Sequence, residues 1–281
     1  MKSSEQKIYG RNACLAFAKH FPQAVIRAYC TESNRGRLGA LLKFLAEKKR
    51  AYHIVTEGDL HKICDSEHHE GICLLVERQA AGSEAELIAA LQKTPQAAPH
   101  CVLCLDGISN PHNLGAIVRS AAHFGIKHIL LSSIGEESRK ALLSGAFHRT
   151  AEGGGVHVRV YVAEDPAALL KRLQKEMGWT IVATSSHAQS KELNNTQLPK
   201  RCIMVMGSES EGITPPLLAL ADIKLRIKGT GHVESLNVAS ATAIVLNEFS
   251  RQIENQRKSK FKSGDMPTRV ARVEGRNRKG S

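Results

Sequence analysis

Aromatic residues account for only 4% of this 281-residue chain. So few rings argue against a surface that reads single-stranded bases by stacking. No run of about 18 apolar residues occurs, so no membrane-spanning segment is expected. The seven cysteines, an odd number, follow no framework spacing. No signal-peptide pattern precedes them, and free thiols in a reducing cytoplasm are expected. Cys101 and Cys104 form a C-x-x-C. In the strand-like run "CVLCLDG" their side chains should face opposite sheet faces, so no redox or metal role is assigned. His68, His69 and Glu70 are ligand types without a fourth partner at a known spacing, and a turn before a strand is expected there. No metal site is expected. The chain also lacks G-x-G-x-x-G opening a helix after a strand, and lacks G-x-x-x-x-G-K-[ST]. An ordinary dinucleotide or NTP enzyme is therefore disfavoured.

What is present begins with positive charge. Thirty-nine Lys and Arg stand against 27 Asp and Glu, a net charge of +12. That excess points to an anionic partner, with nucleic acid first. Half of it lies in residues 252–281, which hold nine Lys/Arg and three Asp/Glu. This segment has little apolar periodicity and is expected to be a disordered basic tail adding salt-sensitive attraction to phosphates.

With 42% hydrophobic residues the chain can build one large or two ordinary domains. Residues 1–78 alternate helical and strand-like segments ("GRNACLAFAKHF", "VIRAYC", "GRLGALLKFLAEKKR", "YHIVT", "EGDLHKIC", "GICLLVE") and predict a small α/β domain. Residues 79–100 read as a linker around a short helix that Ser83 caps. Residues 101–251 alternate near-continuous apolar strands ("VLCLDG", "HILLS", "TIVATS", "CIMVMG", "IKLRI") with helices. That pattern predicts a parallel sheet covered on both faces.

Three corners follow strands in this second domain: "LDGISNPHN", "MGSESEGI" and "IKGTGHVESLN". Ligands of parallel α/β sheets bind outside the carboxyl ends of strands. The corners are therefore expected to converge and to gather Asn113, Arg119, Glu209, Ser235 and Asn237. One arginine, one carboxylate and several hydrogen-bonding groups make a plausible site; physics alone leaves the ligand open.

"NPHNLGAIVRSA", "MVMGSESEGI" and "ESLNVASATAIVLNE" resemble, in order and spacing, the three motifs of the SpoU (TrmH-like) RNA 2′-O-ribose methyltransferases. The likeness spans essentially all of residues 101–250. "SGAFHRTAEGG" is similar to the YfiF-type branch of tRNA/rRNA methyltransferases. The N-terminal segment ending "HHEGICLLVE" is similar to the small α/β RNA-binding domain that precedes the catalytic one in many members.

The resemblance implies a SPOUT-type parallel-sheet domain with a deep C-terminal trefoil knot. It implies bound S-adenosyl-L-methionine, an RNA substrate (tRNA or rRNA), a homodimer formed through the knotted regions, and a cytoplasmic enzyme with no membrane contact. It assigns Gly207 to close backbone approach to the cofactor, and Ile227 and Leu236 to backbone groups flanking the adenine. Arg119 matches the catalytic arginine, Asn113 the asparagine opening its helix, and Glu209 the motif glutamate. Ser235 and Asn237 match the S-L-N triplet. The chain departs from the pattern where many members read I-P-M and it reads Ile227-Lys228-Gly229, a change expected to bear on how the loop holds cofactor.

The chemistry implied is in-line attack of a ribose 2′-oxygen on a sulfonium methyl. Arginine is an awkward general base, with a solution pKa above about 12. Arg119 is therefore expected mainly to bind the ribose–phosphate and stabilise the emerging alkoxide, although family proposals also let its neutral form take the proton. Glu209 and Asn113 would orient the arginine or the nucleotide. Ser235 and Asn237 would fix the substrate side, and could equally cap the final helix. The rival reading is an RNA-binding or ribosome-assembly factor that keeps the fold with feeble catalysis.

Overall fold

The computed structural model describes residues 4–132, 136–185 and 190–262. The first unit contains β1 (Glu5–Tyr9), α1 (Arg11–His20), β2 (Val25–Cys30), α2 (Glu32–Arg35), α3 (Gly39–Glu47), β3 (Tyr52–Ile54), α4 (Glu57–Cys64) and β4 (Ile72–Glu77). Its sheet runs β1-β4-β2-β3, with β2 and β3 parallel and the other pairs antiparallel. The apolar stripes of α1 (Ala13, Cys14, Phe17) and α3 (Leu41, Leu42, Leu45) cover one face. Leu60 and Cys64 of α4 lie in a second cluster with Tyr9 and Cys73. β1 was not anticipated; "EQKIY" is short and half polar, and it pairs only with β4 at the sheet edge.

The second unit contains α5 (Glu84–Gln92), β5 (His100–Asp106), α6 (Pro111–His123), β6 (His128–Leu131), α7 (Glu136–Leu142), α8 (Gly145–Ala151), β7 (Arg159–Val162), α9 (Pro166–Met177), β8 (Thr180–Thr184), β9 (Lys191–Glu192), β10 (Arg201–Gly207), α10 (Pro215–Ala219), β11 (Ile223–Arg226) and α11 (Val238–Lys262). Its seven strands are all parallel, in the order β7-β6-β5-β10-β8-β11-β9. Helices cover both faces, as near-continuous apolar strands require. Leu114, Ile117, Phe147, Leu246 and Phe249 pack on one face. Leu87, Leu91, Leu170, Leu173 and Trp179 pack on the other. Cys101 joins the first cluster and Cys104 the second, on opposite sides of β5.

Two segments differ from expectation. The short helix expected within the linker is α5, and Ser83 caps it as expected, in a capping box with Glu86; what differs is that its Leu87 and Leu91 are fully buried under the sheet, so the segment packs as part of the second unit. The stretch expected to be disordered from residue 252 continues α11 as far as Lys262. The reason is local docking. Ile253 is buried, Gln252 donates to the Thr196 carbonyl and accepts from Leu198 N at 2.9 and 2.8 Å, and Lys258 pairs with Glu254 one turn back. The rest of the tail, 263–281, lies outside the described residues.

The two units meet through α8, which packs against β1 and α1. A β-carbon at Gly145 would collide with the Tyr9 ring. Asn12 of α1 donates to the Glu152 carboxylate just past the end of α8. The "SGAFHRTAEGG" segment is thus the seat of the N-terminal unit.

Candidate active site at the carboxyl end of the sheet

The site rests on three chain segments that leave β5, β10 and β11 at their carboxyl ends. α6 begins where Asn110 caps it, accepting from His112 N and Asn113 N at 2.8 and 3.2 Å, with Pro111 in the first turn. This is the favoured start for a helix whose first amides lack partners. The cap fixes Asn113 at the mouth of the site. Asn113 Nδ2 donates to Glu209 Oε1 at 3.2 Å. Asn237 Nδ2 donates to the same oxygen at 2.7 Å and to Asn113 Oδ1 at 3.0 Å. The backbone N–H of Val238 reaches Glu209 Oε1 as well, at 3.2 Å.

Asn237 also caps α11 through Oδ1, which accepts from Ala239 N and Ser240 N at 3.0 and 3.3 Å. The capping role and the place in the cluster are one geometry. Glu209 sits at the amino end of α11, where the helix dipole favours a carboxylate. Glu209 Oε2 makes no hydrogen bond among the described residues. One oxygen is fully committed, and the other is free to accept from a ligand.

Asn113, Glu209 and Asn237 are therefore brought together. Arg119 and Ser235 are not part of that cluster. Arg119 lies about one and two-thirds turns further along α6, on a different face from Asn113. It is exposed and makes no hydrogen bond or ion pair among the described residues. Ser235 is exposed in the loop before α11.

Gly207 ends β10. A side chain there would run into the backbone of Gly212 and Ile213. The turn 208–212 folds back tightly, with Ser208 and Gly212 exchanging backbone hydrogen bonds at 3.2 and 3.0 Å. The need for glycine here arises within the chain itself. Ile227 is half-buried against the core, while Leu236 is 43% exposed. Between them residues 228–236 are all exposed. Among the described residues none of them makes a backbone–backbone hydrogen bond. Their N–H and C=O groups lie between two apolar side chains, Ile227 and Leu236, and are open to a ligand.

The departure at Lys228 has a visible counterpart. Lys228 Nζ and Arg226 Nη2 both reach Glu192 Oε1, at 3.2 and 2.8 Å. The base of the loop is tied by charge to β9. Gly229 beside it faces open space.

Sequence reasoning missed Asp106. This carboxylate at the end of β5 is 3% exposed. It accepts from Ser132 Oγ at 2.5 Å and from Thr214 N at 2.7 Å, so it joins the ends of β5 and β6 to the start of α10. The signal was present: one acid closes the otherwise apolar run "CVLCLD", and a buried acid needs partners.

Comparison with known proteins agrees with this architecture. The model of the SpoU rRNA methylase family matches residues 100–247. A model of RNA 2′-O-ribose methyltransferase substrate binding matches residues 7–80. The chain is 36% identical over 251 residues to the uncharacterized tRNA/rRNA methyltransferase YfiF of Escherichia coli O157:H7, covering 89% of this chain and 69% of that one. It is 32% identical to the 23S rRNA (guanosine-2′-O-)-methyltransferase RlmB of Pasteurella multocida, covering 88% of this chain and 98% of that protein. The SpoU methyltransferase AviRb of Streptomyces viridochromogenes, solved with the cofactor AdoMet, shares the fold. It superposes with a TM-score of 0.71 at 17% identity over 90% of this chain and 92% of that one. The parallel seven-stranded sheet, the polar cluster at its carboxyl end and these likenesses agree: the chain belongs to the SpoU rRNA methylase family.

Proposed function

We propose that this protein is an S-adenosyl-L-methionine-dependent methyltransferase acting on a ribose 2′-oxygen in structured RNA, tRNA or rRNA, in the cytoplasm. The observation that carries the reading is the Asn113–Glu209–Asn237 cluster, built on the carboxyl ends of parallel strands in a SpoU family chain. Relatives named as 2′-O-methyltransferases of 23S rRNA guanosine, matched over nearly their whole length, support the reaction type. The match of residues 7–80 supports RNA as substrate. The altered loop at Lys228 and Gly229 and the basic tail are the grounds for a feeble-catalysis assembly factor, and the relatives named as methyltransferases do not favour that reading.

The residues present fit the cofactor, because Ile227 and Leu236 flank a stretch of backbone with free hydrogen-bonding groups. When bound, S-adenosyl-L-methionine supplies an electrophilic methyl group. The remaining work falls to this chain. A ribose hydroxyl is a poor nucleophile until its proton is leaving, so the site must position it and stabilise developing negative charge. Arg119, exposed and unpaired among the described residues, binds the ribose–phosphate and steadies that charge with its planar fork. Glu209 offers Oε2 to a nucleotide hydroxyl, while Oε1 is held by Asn113, Asn237 and Val238. Ser235 lines the substrate side of the same mouth, and Gly207 lets the 208–212 turn close under it.

The same reading includes a C-terminal trefoil knot and a homodimer. β10 is threaded between β5 and β8 late in the chain, which supports the knot. Exposed Val233 and Ile244, in the last loop and helix, support contact with a second copy. No described helix is long and apolar enough to cross a membrane.

The deciding experiment maps 2′-O-methyls in RNA from cells with and without the protein. A site lost in the knockout, and restored only by protein with Arg119 intact, is expected. An unchanged map, together with no calorimetric binding of S-adenosyl-L-methionine, overturns the proposal.

A further inference from the structure

A cavity of 340 Å³ lies between the two units, away from the site above. It sits against the amino ends of β6 and β7, where Lys127, His128 and Arg159 line it, whereas the polar cluster lies at the carboxyl end of the sheet. Its apolar walls come from both units: Ile8 and Phe17 on one side, Val118, Phe147 and Val158 on the other. Its volume falls in the range typical of small-molecule sites, about 300–1,000 Å³.

Two residues of its lining, Gln6 and His148, each hold a polar atom that has no partner and lies buried behind the cavity wall. Gln6 is 2% exposed, yet its Oε1 accepts no hydrogen bond. His148 Nε2 is likewise shielded and unpaired. Buried polar groups are normally satisfied, and each exception calls for an explanation. Gln6 projects from the same side of β1 as Ile8, in the apolar layer. An apolar residue there would serve the core better than an amide. At the rim stand two cations. Lys127 has no ion-pair partner among the described residues, and Arg159 has only a loose one, Glu86 at 3.8 Å. The two are adjacent across the β6–β7 pair, with Arg159 N donating to the Lys127 carbonyl at 2.8 Å.

From these features we infer a binding site for a small aromatic anion: an apolar ring body between Phe17 and Phe147, and one anionic group facing Lys127 and Arg159. An occupant would touch β1 of the N-terminal unit together with Val118 and Phe147 of the catalytic one. Val118 is the neighbour of Arg119 on α6. The ligand would therefore brace the RNA-binding unit against the helix that carries Arg119. The site does not depend on the methyl-transfer reading.

The test uses 8-anilinonaphthalene-1-sulfonate on the full chain. This dye carries an aromatic body, one N–H donor and one sulfonate. Saturable binding at one site is expected, read by fluorescence. Lys127→Glu should weaken the dye about tenfold by reversing a neighbouring charge, and should leave the neutral analogue N-phenyl-1-naphthylamine unaffected. Ala81→Trp, at the exposed edge of the cavity, should abolish both. Lys127 is exposed, so its reversal leaves the fold intact and remains decisive if the tryptophan variant misfolds. Absence of saturable binding, or equal affinity for the dye in wild type and Lys127→Glu, overturns the inference.

Discussion

Asn237 donates to Glu209 Oε1 at 2.7 Å while its own oxygen caps α11. One pair of side chains thereby joins the end of β10 to the start of the last helix. Glu209→Ala removes an acceptor for three donors, one of them the Val238 backbone. Loss of helix-cap interactions costs about 1 kcal/mol, so the melting temperature should fall by a few degrees. Methyl transfer should fall much further, by about 10²-fold, on the scale of losing a preorganised polar group. Thermal melting and single-turnover methylation separate the two effects. A variant that loses stability but keeps its rate confines Glu209 to a structural role.

Arg119 gives the opposite pattern. It is exposed and unpaired among the described residues, so Arg119→Ala should leave the melting temperature within about half a kcal/mol of wild type, as surface substitutions do. Affinity for S-adenosyl-L-methionine should also persist. Methyl transfer should be lost. Arg119→Lys keeps charge without the planar fork and should recover only a small part of the rate. Calorimetry alongside activity reads both; full activity in the alanine variant removes the arginine from the mechanism.

The contrast between these residues marks how far the sequence could be read. The interiors of β5, β8 and β10, residues 101–105, 181–183 and 202–206, are apolar and declare a buried parallel sheet. The corners after β5, β10 and β11 then bring Asn113, Glu209 and Asn237 together, as strand polarity requires. Edge strands were harder to see. "EQKIY" and "RVYV" mix polar and apolar residues, and β9 is two residues long, so periodicity has nothing to count. The reach of α11 past residue 251 depends on Gln252 bonding to Thr196 and Leu198, and no local pattern encodes that contact. Arg119 carries no signal of its own on an amphipathic helix; only its motif marks it. The link of Lys228 to Glu192 spans 36 positions and is invisible without the fold.

That link yields a third prediction. Glu192 holds both Arg226 and Lys228 at the base of the exposed loop 228–236. Glu192→Gln should free the loop and weaken S-adenosyl-L-methionine binding severalfold. The effect on folding should be small, since partly exposed ion pairs contribute about 0–1 kcal/mol. Because the tie is ionic and near the surface, added salt should weaken cofactor binding to the wild type and should have less effect on the variant. Calorimetry at low and high salt measures this. Equal affinities for the two proteins would free the loop from any dependence on Glu192.

Asp106 predicts a loss of a different kind. Its carboxylate is buried and shared between Ser132 Oγ and Thr214 N. Asp106→Ala leaves a buried hydroxyl and a backbone amide unsatisfied, at about 1–3 kcal/mol each. Denaturant unfolding should report a drop of that order. Asp106→Asn keeps the shape and can still accept from Thr214, so it should retain more than half of the lost stability. If the two variants are equally unstable, the charge of Asp106 matters and its hydrogen-bond geometry does not.

The histidines set the acid limit. Burial holds His100 down to about 4, aided by the nearby His128 and Arg201. Burial alone holds His148 down to about 4. Unfolded histidine titrates near 6.5, so between about pH 6.5 and 4 the unfolded chain binds more protons than the native one. Stability is therefore complete above the unfolded value and is lost as the pH falls through the folded one. His148 should cost on the order of 1–3 kcal/mol across that window, and His100 less, because it is only partly buried and solvent screens its charge. Melting temperatures measured from pH 7 to pH 4 should fall steadily. His148→Phe keeps an apolar ring in a place where the imidazole nitrogen has no partner, and it should remove the larger part of the slope while leaving stability at pH 7 nearly unchanged. An acid slope identical to wild type in that variant would mean that His148 is not neutral in the fold.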